Sequence, residues 1–93
     1  MDQLKFNVFL ARVQTLYASE ARWRTHLDQE VKAGKMSPGR RKELVDKSLM
    51  GMVTGVVSDA NLATKGDQRE LRDRLLKEMR EITSHRTAEV TSA

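Results

Sequence analysis

His26 and Glu30 stand four residues apart, a spacing that places both on one helical face, where two metal ligands could sit. A zinc site takes at least a third protein ligand. None is recognisable, because Asp28 projects from a different part of the same helix. The pair therefore reads as exposed polar side chains. His85 lies in a polar C-terminal stretch and is assigned no role. The sequence holds no phosphate loop, nucleophile elbow or metal-binding helix signature. Caps and helical charge pairs account for most of the acidic residues. The expectation is a non-enzyme with no catalytic, metal-ligating or cofactor-binding residues.

Three other groups of residues suit recognition rather than catalysis. Arg40, Arg41 and Lys42 fall in the first turns of an expected helix, where free N–H groups and the macrodipole favour anions. Cations there oppose local stability, which makes the place a candidate for function. With Lys32, Lys35 and Lys47 they form a basic knob over residues 32–47, six cations against Glu43 and Asp46. Such a knob suits an acidic protein surface or phosphates, or is simply a solvated face. Arg22-Trp23-Arg24 could stack a base on Trp23 and place its arginines on phosphates. Trp23 also continues an apolar stripe, which makes it a core or interface residue whose neighbours flank that stripe in any case. Gly51 and Gly55, four apart, would let another helix approach closely, within the fold or across a dimer axis, but carry no chemistry.

The elements that position these residues follow from periodicity. Phe6, Phe9, Leu10, Val13, Leu16, Tyr17, Trp23, Leu27 and Val31 recur at three- and four-residue steps, the spacing of one helical face. All the aromatic residues of the chain lie on this first segment. Asp2 is its expected N-cap, and Ala33-Gly34 its stop. The stripe is interrupted at Glu20. An unbroken helix over 2–33 would be about 45 Å long, so the segment either bends near Ser19 or extends beyond the rest of the domain. Glu20–Arg24 and Asp28–Lys32 are acid-first pairs that support a helix.

Ser37 and Pro38 make the clearest start signal, an N-cap followed by proline at the first helical position. The apolar residues Leu44, Val45, Leu49, Met50, Met52, Val53, Val56 and Val57 predict a helix over 38–62. A strand over Met52–Val57 is the competing reading. Asp67 with Glu70 resembles a capping box, and Leu71, Leu75, Leu76, Met79 and Ile82 predict a helix over 67–84. Glu70–Arg74 and Asp73–Lys77 are further expected pairs. Residues 87–93 read as a frayed tail.

Ninety-three residues without cysteine indicate one domain, assigned to 1–86, with no disulfide framework. No apolar run approaches the roughly 20 residues of a membrane span. Asp2, Asn7 and Arg12 argue against a leader at the N-terminus. The location expected is cytoplasmic. Seventeen basic against thirteen acidic residues leave a net charge of +4, a mild excess. The build is similar to that of many regulators and inhibitors carried by phages and plasmids.

The fold expected is all-α: a three-helix antiparallel bundle with a long N-terminal helix, its middle helix central and its last helix the most exposed. Phe6, Phe9, Leu10, Met50 and Val57 are expected to be left over for an interface, with Arg22, Trp23 and Arg24 as possible anchors, so that a homodimer or a protein partner completes the core. The function expected is a small interaction protein, a regulator, inhibitor or adaptor, that binds a larger macromolecule through its aromatic face and basic knob. The alternatives are a DNA- or RNA-binding module using 32–47 with Arg22 and Arg24, and a structural subunit of a helical assembly.

Overall fold

The computed structural model describes the backbone of residues 2–92 and the side chains of residues 2–83. It is all-α, with four helices: α1 Gln3–Ser19, α2 Ala21–Lys32, α3 Pro38–Asp59 and α4 Lys65–Ser92. The expected three-helix bundle is corrected on this point, because the long N-terminal segment is two helices.

Glu20 is the reason. Its backbone leaves helical geometry, with φ −99° and ψ 16°. Ser19 Oγ donates back to the Leu16 carbonyl at 2.6 Å, a side-chain bond that competes with the helical ladder. The Tyr17 carbonyl, left over at the break, accepts from the Glu20 N–H at 3.2 Å and from Arg24 Nη1 at 2.5 Å. The Arg24 guanidinium also lies over the Tyr17 ring, 3.6 Å from its centroid. The Glu20 carboxylate crosses to α3 and accepts from Ser48 Oγ at 2.7 Å. An acid in an apolar stripe thus ends one helix, begins the next and ties the junction to a neighbour.

The other ends follow local rules. Asp2 and Ser37 cap α1 and α3 by accepting from the Lys5 and Arg40 N–H groups. After α2, Gly34 takes φ 76°, Gly34 N–H donates to the Val31 carbonyl and Lys35 N–H to the Glu30 carbonyl. This is the paired arrangement of a Schellman stop, which a glycine in the left-handed region permits. α3 stops at Asp59, short of residue 62, and Asn61 at φ 52° turns the chain, a conformation asparagine tolerates. α4 starts at Lys65 rather than 67. Thr64 is its cap, accepting from the Asp67 N–H at 3.1 Å.

α1, α3 and α4 enclose the main core. It comprises Phe6 and Val13 from α1, Leu49, Val53, Val56 and Val57 from α3, and Leu71, Leu75, Leu76 and Met79 from α4. Cross-helix contacts fix the directions. Glu20 meets Ser48, and Asp28 meets Arg41, so α2 runs against α3; the start of α1 lies beside Leu62, just past the end of α3, so α1 does too. The short turn at 60–64 joins the end of α3 to the start of α4, and Asp46 in the first half of α3 meets Arg80 further along α4, so α4 also runs against α3. Gln3 accepts from Arg74 Nη2, whose guanidinium covers the Phe6 ring at 3.9 Å, closing α1 on α4.

α3, expected to be the one central helix, shares that place with α1, since each touches the other three helices. Over its described side chains the last helix is not the most exposed, since four of its residues enter the core and α1 leaves a larger share exposed. α2 packs on α3 and α1 and buries only Leu27, outside the main cluster. The tail expected at 87–93 and His85 have side chains outside the described residues. No helix among the described residues is long and apolar enough to cross a membrane.

Candidate interaction surface

The expected acid-first pairs along single helices are not the contacts that form. Glu20 takes Ser48 rather than Arg24, and Asp28 takes Arg41 rather than Lys32. Arg74 turns to Gln3 and Phe6, and Asp73 lies beside Arg72. Cross-helix contacts win because exposed i,i+4 pairs stabilise by only about 0.3–0.5 kcal/mol. A guanidinium reaching a neighbouring helix also packs its stem on that helix.

This changes the basic knob. Arg41 Nε lies 2.5 Å from Asp28 Oδ1, buried, in a charge contact whose angle is outside hydrogen-bond geometry. Arg40 pairs loosely with Glu43 at 3.4 Å. Asp46, the other local acid, is drawn to Arg80 on α4. Lys32, Lys35, Lys42 and Lys47 are exposed and make no ion pair among the described residues. The structure therefore divides the knob into Arg41, which links α2 to α3, Arg40, which is paired with Glu43 on its own helix, and four free lysines around the α2–α3 turn and along α3.

The apolar candidates are divided as well. Phe6 and Val57 are buried, at 1% and 7% exposure, and belong to the core rather than to a surface. Phe9, Leu10 and Tyr17 are half-buried against that core. Met50 is exposed at 45%. In the 22–24 triplet Arg22 is exposed, Trp23 is half-buried, and Arg24 is committed to the Tyr17 junction. Gly51 and Gly55 face open space, since an added Cβ at either would meet no atom within 4 Å. Their small size serves no close helix packing among the described residues.

One surface was not anticipated. Leu4, Val8 and Leu16 on α1 are exposed at 77%, 52% and 43%. Leu4 and Val8 stand opposite the core stripe of Phe6 and Val13, so α1 is apolar on two sides. A helix apolar all round is normally buried. The signal was present in the sequence, as two aliphatic residues that the stripe does not use.

His26 Nε2 lies 3.5 Å from Glu30 Oε1, an ordinary i,i+4 contact, and no cluster of three potential metal ligands occurs among the described residues. A shallow groove of about 220 Å³ lies between the start of α1 and the start of α4, lined by Lys5, Phe6, Leu62, Glu70 and Arg74 among others. It is below the roughly 300 Å³ at which ligand pockets begin. Comparison with family models, curated proteins and solved structures gave no match.

Proposed function

We propose that this protein is a non-enzymatic interaction module, a regulator, inhibitor or adaptor, that docks on another protein through the outer face of α1. The observation that carries this reading is the exposure of Leu4, Val8 and Leu16 on a helix whose other side is already in the core. Each aliphatic side chain fully removed from water would contribute on the order of 1.5–3 kcal/mol. The free lysines at 32, 35, 42 and 47 supply a positive field that speeds encounter with an acidic surface. The packed core of α1, α3 and α4 holds that face in place, and binding would act by covering or recruiting its target.

The test is capture of partners by the immobilised chain, with and without nuclease, beside a Leu4→Gln/Val8→Gln variant. A nuclease-resistant partner retained by the wild type and lost by the variant is expected. Retention by both contradicts the proposed surface.

The four free lysines also favour a second reading, nucleic-acid binding at the knob. It requires a steep salt dependence, a log–log slope of roughly −3 to −4 if four phosphates are neutralised. A mobility-shift series over salt separates the readings, because docking through α1 predicts no such shift.

A further inference from the structure

We propose that the outer ridge of α1 receives an acidic amphipathic helix of another protein, and that a carboxylate of that helix meets Arg12. This rests on the interaction reading above and adds the chemistry of the partner.

Residues 4, 8, 12 and 16 are each four apart, so they form one ridge that drifts about 40° around the helix per step. The ridge reads Leu4, Val8, Arg12, Leu16, and all four are exposed. Three of the four large apolar side chains exposed among the described residues lie on it. Such i,i+4 ridges are the surfaces that helices pack into each other's grooves. The adjoining row holds Ala11 and Thr15, small enough for a second backbone to come close. Thr15 Oγ1 already donates to the Ala11 carbonyl at 2.9 Å, so its hydroxyl is satisfied within the helix and covering it strands no polar group.

Arg12 decides the occupant. It sits within the aliphatic ridge and makes no ion pair among the described residues. A helix laid along the ridge would take the guanidinium out of water, and a buried unpaired charge costs several kcal/mol. The compensating carboxylate cannot come from α1, which has no acidic residue from Gln3 to Ser19. Lys5, also exposed and unpaired, precedes Arg12 by seven residues and so lies on the same side of the helix. The complement is a helix with aliphatic residues on one face and Asp or Glu alongside them.

Other occupants fit less well. A second copy would set Arg12 and Lys5 against their own kind with no acid from either ridge. A lipid surface calls for more buried apolar area than three aliphatic side chains, and the ridge has no aromatic residue to seat at the headgroups. Nucleic acid would lay the aliphatic residues against phosphates.

The experiment is a displayed library of helical peptides with leucine or isoleucine at i, i+3, i+4 and i+7 and random flanking positions. It is panned on the full chain, with a Leu4→Glu/Val8→Glu chain as counter-target. Both positions are exposed, and Leu4 lies in the first turn of α1, where glutamate is favourable, so the variant keeps its fold; circular dichroism verifies this. The expected result is binders in which Asp and Glu exceed Lys and Arg at flanking positions by about tenfold, the scale of one favourable charge contact. On an Arg12→Glu chain the preference should reverse. Binders that depend on Leu4 and Val8 but carry neutral or basic flanks overturn the partner class and leave the docking surface standing. A library with no such binders removes both. Self-association by light scattering, or sedimentation with phosphatidylcholine–phosphatidylserine vesicles, abolished by the same variant, also overturns the proposal.

Discussion

The Glu20 carboxylate accepts a hydrogen bond from Ser48 Oγ at 2.7 Å, joining the α1–α2 junction to the middle of α3. The contact is half-buried and spans two helices, so it holds the angle at which α2 leaves α1. Removing either partner should cost about 1 kcal/mol, the net worth of one such bond. Glu20→Ala, Ser48→Ala and the double variant, compared by urea unfolding, should show that the second substitution adds little to the first. Fully additive losses would mean that the two residues do not act together.

Gly51 and Gly55 should be replaceable. A Cβ at either position meets nothing within 4 Å, and neither has positive φ. Each alanine should therefore stabilise α3 by up to about 1 kcal/mol, the helix propensity difference. Thermal unfolding of Gly51→Ala and Gly55→Ala checks this, and a lowered midpoint would reveal packing at that face.

Arg41 and the neighbouring lysines should separate by experiment. Arg41→Glu sets a second acid against Asp28, which now lies 2.5 Å from the Arg41 Nε, and should destabilise the chain by about 1 kcal/mol, the upper end for a partly exposed pair. Lys42 and Lys47 make no ion pair among the described residues, so Lys42→Glu and Lys47→Glu should stay within about 0.5 kcal/mol of wild type, while slowing association with an acidic target. Equal effects on unfolding would show that Arg41 has no special structural place.

Leu75 and Val53 are 0% exposed in the shared core of α3 and α4. Leu75→Ala should cost about 2–5 kcal/mol through lost transfer energy and the cavity left behind. Chemical denaturation provides the measurement. A loss below 1 kcal/mol would mean that α4 is not packed as described.

Much of the fold was legible because its signals are local. Ser37-Pro38, Ala33-Gly34 and the stripe through Phe6 and Val13 each act within a turn or two. Glu20 marked the break, although only the Ser48 contact shows why the chain divides there. Thr64 with Asp67 is a cap of the same local kind, hidden by the competing Asp67–Glu70 pattern. The ion pairs were not legible, because Asp28–Arg41 and Asp46–Arg80 depend on which helices become neighbours. For the same reason Phe6 and Val57 were expected at a surface, although α4 covers them as part of the core. The exposure of Leu4 and Val8 is not legible either, because periodicity identifies the strongest apolar face of a helix and these two lie on the other side.

The claim that this chain works by docking through α1 is tested most directly by one affinity comparison. An acidic amphipathic peptide selected on the full chain is titrated calorimetrically into the wild type and into Leu4→Gln/Val8→Gln/Leu16→Gln. The account predicts binding at least tenfold weaker for the variant, equivalent to about 1.4 kcal/mol, with its unfolding midpoint nearly unchanged. Equal affinity for both chains would contradict it.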